Sequence, residues 1–369
     1  MKVKTKTYVN IRKSPNRDIR ETGILNPNVE LEVEGTVPGE NVKELVNGEE
    51  IESSIWYKDA AGHFYWGGGF RVMEEINFQD IINRNFDGTS ITEVIDYNKI
   101  LNLSNDVKVT KGIGVTIALM DTGISQHPNL SDSIFGNQFD FTKSQNGYGD
   151  KDGHGTFLAG LISSHSNEAK SLQGIAPKCK VVNLKVIKDN GTAVGEYLEL
   201  GLNKITEMFS NCIINMSLNI TVQEFDQLNN KNVFDNLSKK YACIAAAGED
   251  ERLLLKNGIY SPASSDKVIA VGSINEFFFT NNRTPKFDPR LDFIIPQFNI
   301  LSISNNSNYT TLDGVSSMAC AMVSAIISLV FSKNGSNNLS LESALIELNK
   351  LATPYAEIEN LRTLTLIKP

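Results

Sequence analysis

The amino-acid sequence predicts an α/β fold with a largely parallel sheet and helices on both faces, preceded by a small all-β module. Apolar runs such as VTIALM, KVVNLKVI, CIINMSL and KVIAVGSI recur from residue 115 to residue 274, and helical segments such as VGEYLELGLNKITEMF lie between them. Continuous apolar strands that alternate with helices are typical of a parallel sheet that is covered on both faces. In such a sheet, functional residues collect at the carboxyl ends of the strands.

Residues 1–72 have a different pattern and are predicted to form the small β module. Short strand-like runs, KTYVNIR, VELEVEGTV, SIWYKDA and HFYWGGG, are separated by Pro, Asn-Gly and Gly turns. YVNIR and WYKD followed by GHFYWGGG resemble the bacterial SH3-like barrel, and this resemblance implies a peptide, a cell-wall fragment or a recruited regulator as its partner. The aromatic side chains fit either such a binding face or the core of a tiny barrel: Tyr8, Trp56, Tyr57, Tyr65 and Trp66.

Residues 73–95 are charged and mixed, with an Asp-Gly break at Asp87 and Gly88, and are predicted to be a linker. The α/β domain is then expected to span residues 96–369.

Composition excludes several classes of function. Lys and Arg total 35 against 43 Asp and Glu, which gives a net charge of -8, and no basic cluster is interleaved with aromatic residues. Nucleic acid is therefore not an expected partner. The longest apolar run, Ala325–Phe331, is too short to cross a bilayer, and no apolar stretch follows the charged start MKVKTKTYVNIRKS. We therefore expect no membrane partner and a cytoplasmic location.

The four cysteines lie in apolar or helical contexts without C-x-x-C spacing: Cys179, Cys212, Cys243 and Cys320. Buried free thiols are expected, which agrees with a reducing compartment.

A candidate nucleophile stands at the start of the most apolar helical stretch, Asp313–Lys333, DGVSSMACAMVSAIISLVFSK. Backbone N–H groups in the first helical turn have no partner within the helix, so they can stabilise negative charge that develops beside Ser317. A serine in this position is also a common helix cap, and only a matching base elsewhere in the chain favours catalysis.

Two further residues have a suitable setting for that chemistry. Asp121 ends the strand Val115–Met120 and begins a turn, and His154 lies between two glycines before an apolar helical run, DGHGTFLAGLISS. A serine needs a base within hydrogen-bond reach, and the base needs a third group that holds it.

The motifs MDTGI, DGHGTFLAG and SSMA, in the order Asp, His, Ser, resemble those of the subtilisin-type serine peptidases (subtilases), over about residues 96–365. The resemblance implies Ser317 as nucleophile, His154 as general acid and base, and Asp121 as the group that orients the imidazole. It also implies an extended peptide or protein substrate, which binds as an added strand. The implied substrate-binding residues are Met216, Ser217, Leu218, Asn219, Ala246, Ala247, Gly248 and Gly191.

The sequence departs from the family pattern at the oxyanion site. The family has an Asn side chain that donates to the oxyanion after its AAAG strand, and this chain has Glu249 there. An ionised glutamate cannot donate a hydrogen bond. Low or gated activity is therefore expected, and a pseudopeptidase that binds peptides as a scaffold or sensor is the alternative.

The serine motif is also altered, because the family's Gly-Thr-Ser is Val315-Ser316-Ser317 here. Ser317 is the preferred nucleophile, and Ser316 is the alternative if Gly314 is taken as the family's glycine. No cofactor is expected. The family resemblance implies that calcium can bind, but the sequence does not assign its ligands.

Overall fold

The computed structural model describes residues 2–17, 23–46, 49–72, 78–88, 90–101, 103–166, 171–248, 258–274, 287–296, 299–306, 308–335, 339–354 and 364–369. These residues form two compact units, Met1–Ile76 and Asn77–Pro369.

Within its described residues, the smaller unit consists of strands and one 3₁₀ turn, Gly67–Gly69. The long hairpin of this unit pairs its two strands antiparallel and adds a third strand at one edge. The strands are Lys2–Thr5, Val9–Ile11, Gly23–Leu25, Glu30–Glu32, Gly35–Val46, Glu49–Lys58, Phe64–Trp66 and Phe70–Val72. This agrees with a small β module.

Four of the five aromatic side chains singled out in the sequence form the core of this unit. Trp56 and Trp66 lie in one apolar cluster, and Tyr57 and Tyr65 lie in a second. Each indole N–H donates to a backbone carbonyl, Trp56 to Glu40 at 3.0 Å and Trp66 to Ser53 at 3.1 Å. Core packing is therefore the role of these four, whereas Tyr8 is 67% exposed.

The larger unit contains a nine-stranded sheet, as far as the described residues show. Adjacent strands pair in parallel, apart from one antiparallel pair, between Phe293–Pro296 and Ile367–Lys368. In sheet order the strands are Phe139–Asp140, Lys180–Lys185, Thr116–Asp121, Ile213–Met216, Ala242–Gly248, Ile269–Ile274, Phe293–Pro296, Ile367–Lys368 and Thr353–Pro354. The predicted largely parallel sheet is confirmed.

Both faces of this sheet are buried, because successive side chains of a strand point to opposite sides. Ile117 and Leu119 belong to one apolar cluster and Ala118 and Met120 to another. The first cluster includes side chains of the helices His154–Ser163, Ser316–Asn334 and Leu341–Leu351, and the second those of Gly195–Met208, Val222–Asn230 and Val233–Leu237. Smaller elements complete the unit: helices Phe78–Asn85, Tyr97–Ile100 and Asn105–Lys108, the 3₁₀ turn Pro128–Leu130, and the strand pairs Ile95–Asp96 with Leu172–Gln173 and Asn299–Ile303 with Tyr309–Asp313.

The predicted linker, residues 73–95, differs from the structure. Residues 73–77 lie outside the described residues, and Phe78–Asn85 is a helix of the larger unit. Ile82 and Ile91 are buried in the main apolar cluster. These two isoleucines lie among polar residues and form no periodic apolar pattern, so the sequence did not predict this packing.

The helix Ser316–Asn334 is buried along most of its length and ends at Gly335, whose φ of 58° closes the helix in the left-handed region. Its length and apolar composition would suffice to cross a membrane, but 83% of its most apolar window is buried inside the protein. This helix is therefore the core helix of the larger unit. All four cysteines are free and buried, as expected.

Candidate active site

Asp121 and His154 form a hydrogen-bonded pair at the carboxyl edge of the sheet. Asp121 is the last residue of the interior strand Thr116–Asp121, and His154 is the first residue of the helix His154–Ser163. The His154 Nδ1 to Asp121 Oδ1 distance is 2.7 Å. Because Nδ1 donates to the carboxylate, the neutral imidazole has its free lone pair on Nε2.

Asp121 is 1% exposed, and the same Oδ1 atom also accepts the backbone N–H of Thr122 at 2.8 Å. The side chain of His154 is 27% exposed, so one end of the pair is buried and the other opens to solvent. Burial alone would lower the pKa of His154, but the charge and hydrogen bond of Asp121 outweigh it and raise the pKa to about 9, with smaller contributions from Asp152 and Asp150. The imidazolium that forms during proton transfer is therefore well stabilised.

Asp150 holds the start of the histidine helix against the end of the Asp121 strand. Its carboxylate accepts the backbone N–H groups of Gly153 and Thr156, both at 2.8 Å, and the Thr156 hydroxyl at 2.6 Å. It also accepts the hydroxyl of Thr122 at 2.9 Å. Asp150 lies outside the motifs predicted from the sequence, although an acidic residue shortly before a predicted helix start is a capping signal.

Gly155 allows the helix to approach the strand end closely. A Cβ atom on Gly155 would lie 2.2 Å from the carbonyl oxygen of Gly123 and 3.1 Å from Asp121 Oδ1. Only glycine fits between the two elements at this distance, so the short contact between His154 and Asp121 depends on it.

Ser317 lies in the first turn of the core helix and is partly exposed, whereas its neighbour Ser316 is 5% exposed. The Ser317 hydroxyl donates to the carbonyl oxygen of Ser217 at 3.4 Å, and the Ser217 hydroxyl donates to the carbonyl oxygen of Ser317 at 2.9 Å. Ser317 Oγ and His154 do not hydrogen-bond to each other here, and catalytic hydrogen bonds of this kind are often long before substrate binds.

One open cleft of about 360 Å³ brings most of the predicted residues together. Its lining includes His154, Ser316, Ser317, Ser217, Leu218, Asn219, Ala246 and Gly191, and it adds Thr122, Asp152, Ile187, Ala193 and Tyr260. The cleft therefore offers a serine, an imidazole and two facing backbone segments to one ligand.

Three predicted substrate-binding residues do not line this cleft. Met216 and Ala247 are fully buried in the apolar cluster on one face of the sheet, since their strands are covered on both sides. Gly248, the last residue of its strand, is also buried away from the lining. Glu249, at the expected oxyanion site, lies outside the described residues.

A buried polar network, which the sequence analysis missed, lies beneath the serine. Asn215 Nδ2 donates to the Cys320 sulfur at 3.1 Å and to the Ser324 hydroxyl at 3.0 Å. Asn215 Oδ1 lies 3.0 Å from the Ser217 hydroxyl and shares its single proton with the Ser317 carbonyl oxygen. Burial raises the pKa of Cys320 to about 12, so its thiol stays neutral. The network joins the core helix to the strand Ile213–Met216 and its continuation at Ser217, which fixes the serine relative to the cleft.

Within the part of the chain that the structure describes, no group of three or more His, Cys, Asp or Glu side chains is placed to hold a metal ion.

Comparison with solved structures identifies the type of fold. A cold-adapted subtilisin-like serine proteinase superposes with a TM-score of 0.55 and 22% identity, covering 70% of this chain and 89% of the other. Sphericase superposes with a TM-score of 0.54, again at 22% identity, covering 76% of this chain and 91% of its own. The larger unit therefore has a subtilisin-like fold.

Sequence comparison then identifies the family. The profile of the subtilase family (Peptidase S8) matches residues 112–350. The Major intracellular serine protease of Bacillus subtilis is 32% identical over 241 residues, which are 60% of this chain and 70% of that protein. The Thermophilic serine proteinase of Bacillus sp. strain AK1 is 28% identical over 243 residues, and the match spans 64% of this chain but only 57% of that protein. This chain belongs to the subtilase family.

Proposed function

We propose that this protein is a subtilisin-type serine endopeptidase with Ser317 as nucleophile, His154 as general acid and base, and Asp121 as the orienting carboxylate. The observation that supports this most is the 2.7 Å contact between Asp121 and His154 on a cleft that also exposes Ser317. Family membership supports the same activity.

In this mechanism, Ser317 Oγ attacks the carbonyl carbon of the scissile peptide bond while His154 Nε2 takes the hydroxyl proton. His154 then gives that proton to the leaving amine, the C–N bond breaks, and an acyl-enzyme ester forms on Ser317. Water attacks the ester in the same way, and its proton passes through His154 back to the serine oxygen. Asp121 holds the Nδ1–H end of the ring throughout and stabilises the imidazolium that forms twice in each cycle.

An extended peptide would lie between Ser217–Asn219 on one side and the turn around Gly191 on the other. Both segments line the cleft, and backbone pairing with an added strand recognises a chain without demanding a particular sequence. A protein or peptide substrate fits such a site.

We further propose that the activity is low or gated. The first helical turn supplies the backbone N–H of Ser317 to the oxyanion, but Glu249 replaces the second donor of the family. Loss of one oxyanion donor costs about 10²–10³ in kcat, a magnitude established on subtilisin, which is itself a member of this family. Glu249 is also the reason to retain a second candidate function, a pseudopeptidase that binds peptides in the cleft as a scaffold or sensor.

Three forms of the full chain separate these functions: the wild type, Ser317→Ala and Glu249→Asn. Each is treated with a fluorophosphonate probe and with a peptide library at neutral pH. We expect the wild type to be labelled and to cleave peptides slowly, Ser317→Ala to do neither, and Glu249→Asn to cleave at least about 10-fold faster. Peptide binding without labelling of the wild type or Glu249→Asn would favour the scaffold instead.

The smaller unit is proposed to recruit a substrate or regulator as an SH3-like module, in which the exposed Tyr8 is available for contact. A cytoplasmic location is proposed because relatives include the Major intracellular serine protease of Bacillus subtilis and the Intracellular serine protease of Paenibacillus polymyxa. The chemistry of Ser, His and Asp needs no cofactor, so chelation with EDTA is expected to leave probe labelling of Ser317 unchanged.

A further inference from the structure

Lys185 carries a fully buried charge directly behind the candidate active site. It is the last residue of the strand Lys180–Lys185, lies opposite Asp121 in the sheet, and its side chain is 0% exposed. A buried ammonium group is very costly unless it is paired and hydrogen-bonded. The Lys185 ammonium group therefore needs hydrogen-bond or ion-pair partners, and it has three.

The three partners belong to three different loops at the carboxyl edge of the sheet. The Lys185 ammonium donates to the carbonyl oxygens of Thr122 and of Gly149, the latter at 3.1 Å, and pairs with Asp189 Oδ1 at 2.8 Å. Thr122 directly follows Asp121, and Gly149 directly precedes Asp150, which caps the histidine helix. The Lys185 ammonium therefore connects the loop that follows Asp121 and the loop that precedes His154 with the loop that bears Asp189.

Asp189 lies in the turn that forms one wall of the cleft. The Lys188 N–H donates to the Thr192 carbonyl at 3.0 Å, and the Gly191 N–H donates to the Lys188 carbonyl at 2.9 Å. Gly191, which lines the cleft, has a φ of 78°, a conformation that favours glycine. The geometry of this turn is therefore tight, and Asp189 is its link to the buried charge.

The second oxygen of Asp189 is also engaged. It accepts the hydroxyl of Ser144 at 2.6 Å and the amide of Asn146 at 3.2 Å. The contact with Lys185, followed by that with Ser144, holds the pKa of the Asp189 carboxyl below its ordinary value. The carboxylate is thus ionised at neutral pH and anchored on both oxygens.

We propose that the Lys185–Asp189 ion pair holds the substrate-binding turn Lys188–Thr192 at the distance from the triad that peptide binding requires. Through this turn, Asp189 supports the specificity for extended peptides. This inference rests on the proposed peptidase function. Neither residue takes part in the chemistry: Asp189 acts through the turn, and Lys185 acts through the turn and through the loops of Thr122 and Gly149.

The two residues should therefore affect kinetics differently. Without its charge, Asp189 no longer anchors the turn, so a long peptide loses one wall of its site while a small probe at Ser317 is unaffected. Without its ammonium group, Lys185 releases all three loops, so both peptide binding and the reaction of Ser317 should suffer.

The test uses full-length wild type, Asp189→Asn, Lys185→Met and the control Asp226→Asn, which changes an exposed aspartate on the helix Val222–Asn230. Active sites are counted by fluorophosphonate titration, so unfolded protein does not distort the rates. For Asp189→Asn we expect KM for an extended peptide to rise about 10-fold, with kcat and the probe reaction rate within about 2-fold of wild type. For Lys185→Met we expect the probe reaction rate to fall about 10-fold as well, and for Asp226→Asn no change.

Several outcomes would overturn the inference. An unchanged KM in Asp189→Asn would refute the inference while leaving the peptidase function standing. The same holds if Asp189→Asn lowers only the number of sites that the probe titrates, because that result would show a merely structural role. If the wild type does not react with the probe at all, the proposed function fails and this inference fails with it.

Discussion

Replacement of Asp150 by alanine tests whether this buried carboxylate assembles the candidate site. Asp150 is 6% exposed and accepts four hydrogen bonds, two from backbone N–H groups at the helix start and two from threonine hydroxyls. In Asp150→Ala these donors lose their acceptor inside the protein. The substitution therefore removes a helix cap and a charged hydrogen-bond network together.

The expected loss of stability follows from these contacts. A hydrogen bond to a charged group contributes about 1.5–3 kcal/mol and a helix cap about 1 kcal/mol, but neighbouring contributions are not additive. We expect Asp150→Ala to lower the free energy of unfolding by about 3–5 kcal/mol, because several buried donors lose their acceptor at once and each unsatisfied donor costs about 1–3 kcal/mol, less than additively. Because a domain of this size shifts its Tm by about 2–4 °C per kcal/mol, the midpoint should fall by about 10 °C.

The assay is thermal unfolding together with the rate of fluorophosphonate labelling, and Asp152→Ala is the matched control for the thermal unfolding. Asp152 is exposed and accepts a hydrogen bond from the His154 backbone N–H, at 3.2 Å, so its loss should cost less than about 1 kcal/mol. Labelling of folded Asp150→Ala should slow by at least about 10-fold, since the start of the helix that carries His154 is no longer held against the end of the Asp121 strand. Equal melting points for the two variants would refute the role given to Asp150.

Three further predictions concern the same region and the core. Labelling of Ser317 needs neutral His154, so its rate should rise with pH to a midpoint near the pKa of about 9, and Asp121→Asn should move that midpoint down. This pKa lies above the ordinary 6.5, so the Asp121–His154 pair contributes its full stabilisation of the fold below about pH 6.5. That stabilisation disappears as the pH rises through about 9, and denaturation at a series of pH values would measure the loss. Gly155→Ala should reduce both stability and labelling because its Cβ would clash with the carbonyl of Gly123, whereas Gly136→Ala, where a Cβ meets nothing within 4 Å, should do neither. Iodoacetamide should leave the four buried cysteines of the native protein unmodified and modify all four in guanidinium; modification of the native protein would contradict their burial.

The parallel sheet and the candidate triad were accessible from the sequence because their signals are local. Asp121 directly follows an apolar run and marks the end of a predictable strand, whereas His154 and Ser317 each precede an apolar run and mark the start of a predictable helix. The aromatic residues of the smaller unit left two interpretations, since Trp56 in a core and Trp56 on a binding face have the same sequence pattern. Only the burial of the side chain distinguishes them.

The features that sequence reasoning missed depend on residues that are distant along the chain. Lys185 looks like the polar end of a strand, and its burial follows only when the loops of Thr122 and Gly149 meet over it. The family resemblance implied Met216 together with Ser217 as substrate-binding residues, but one position along a strand moves a side chain to the opposite face. A residue's neighbour in sequence is therefore a poor guide to which side of the sheet it serves.

The burial of the helix that carries Ser317 limits how this protein can be switched on or off. The helix Ser316–Asn334 contacts core side chains along most of its length, so it cannot swing or slide without disrupting the core around it. A conformational change that switches the site is therefore expected in the loops that surround the nucleophile, such as the turn around Gly191. Such a change would be local to the rim of the cleft, with the nucleophile itself as the fixed point.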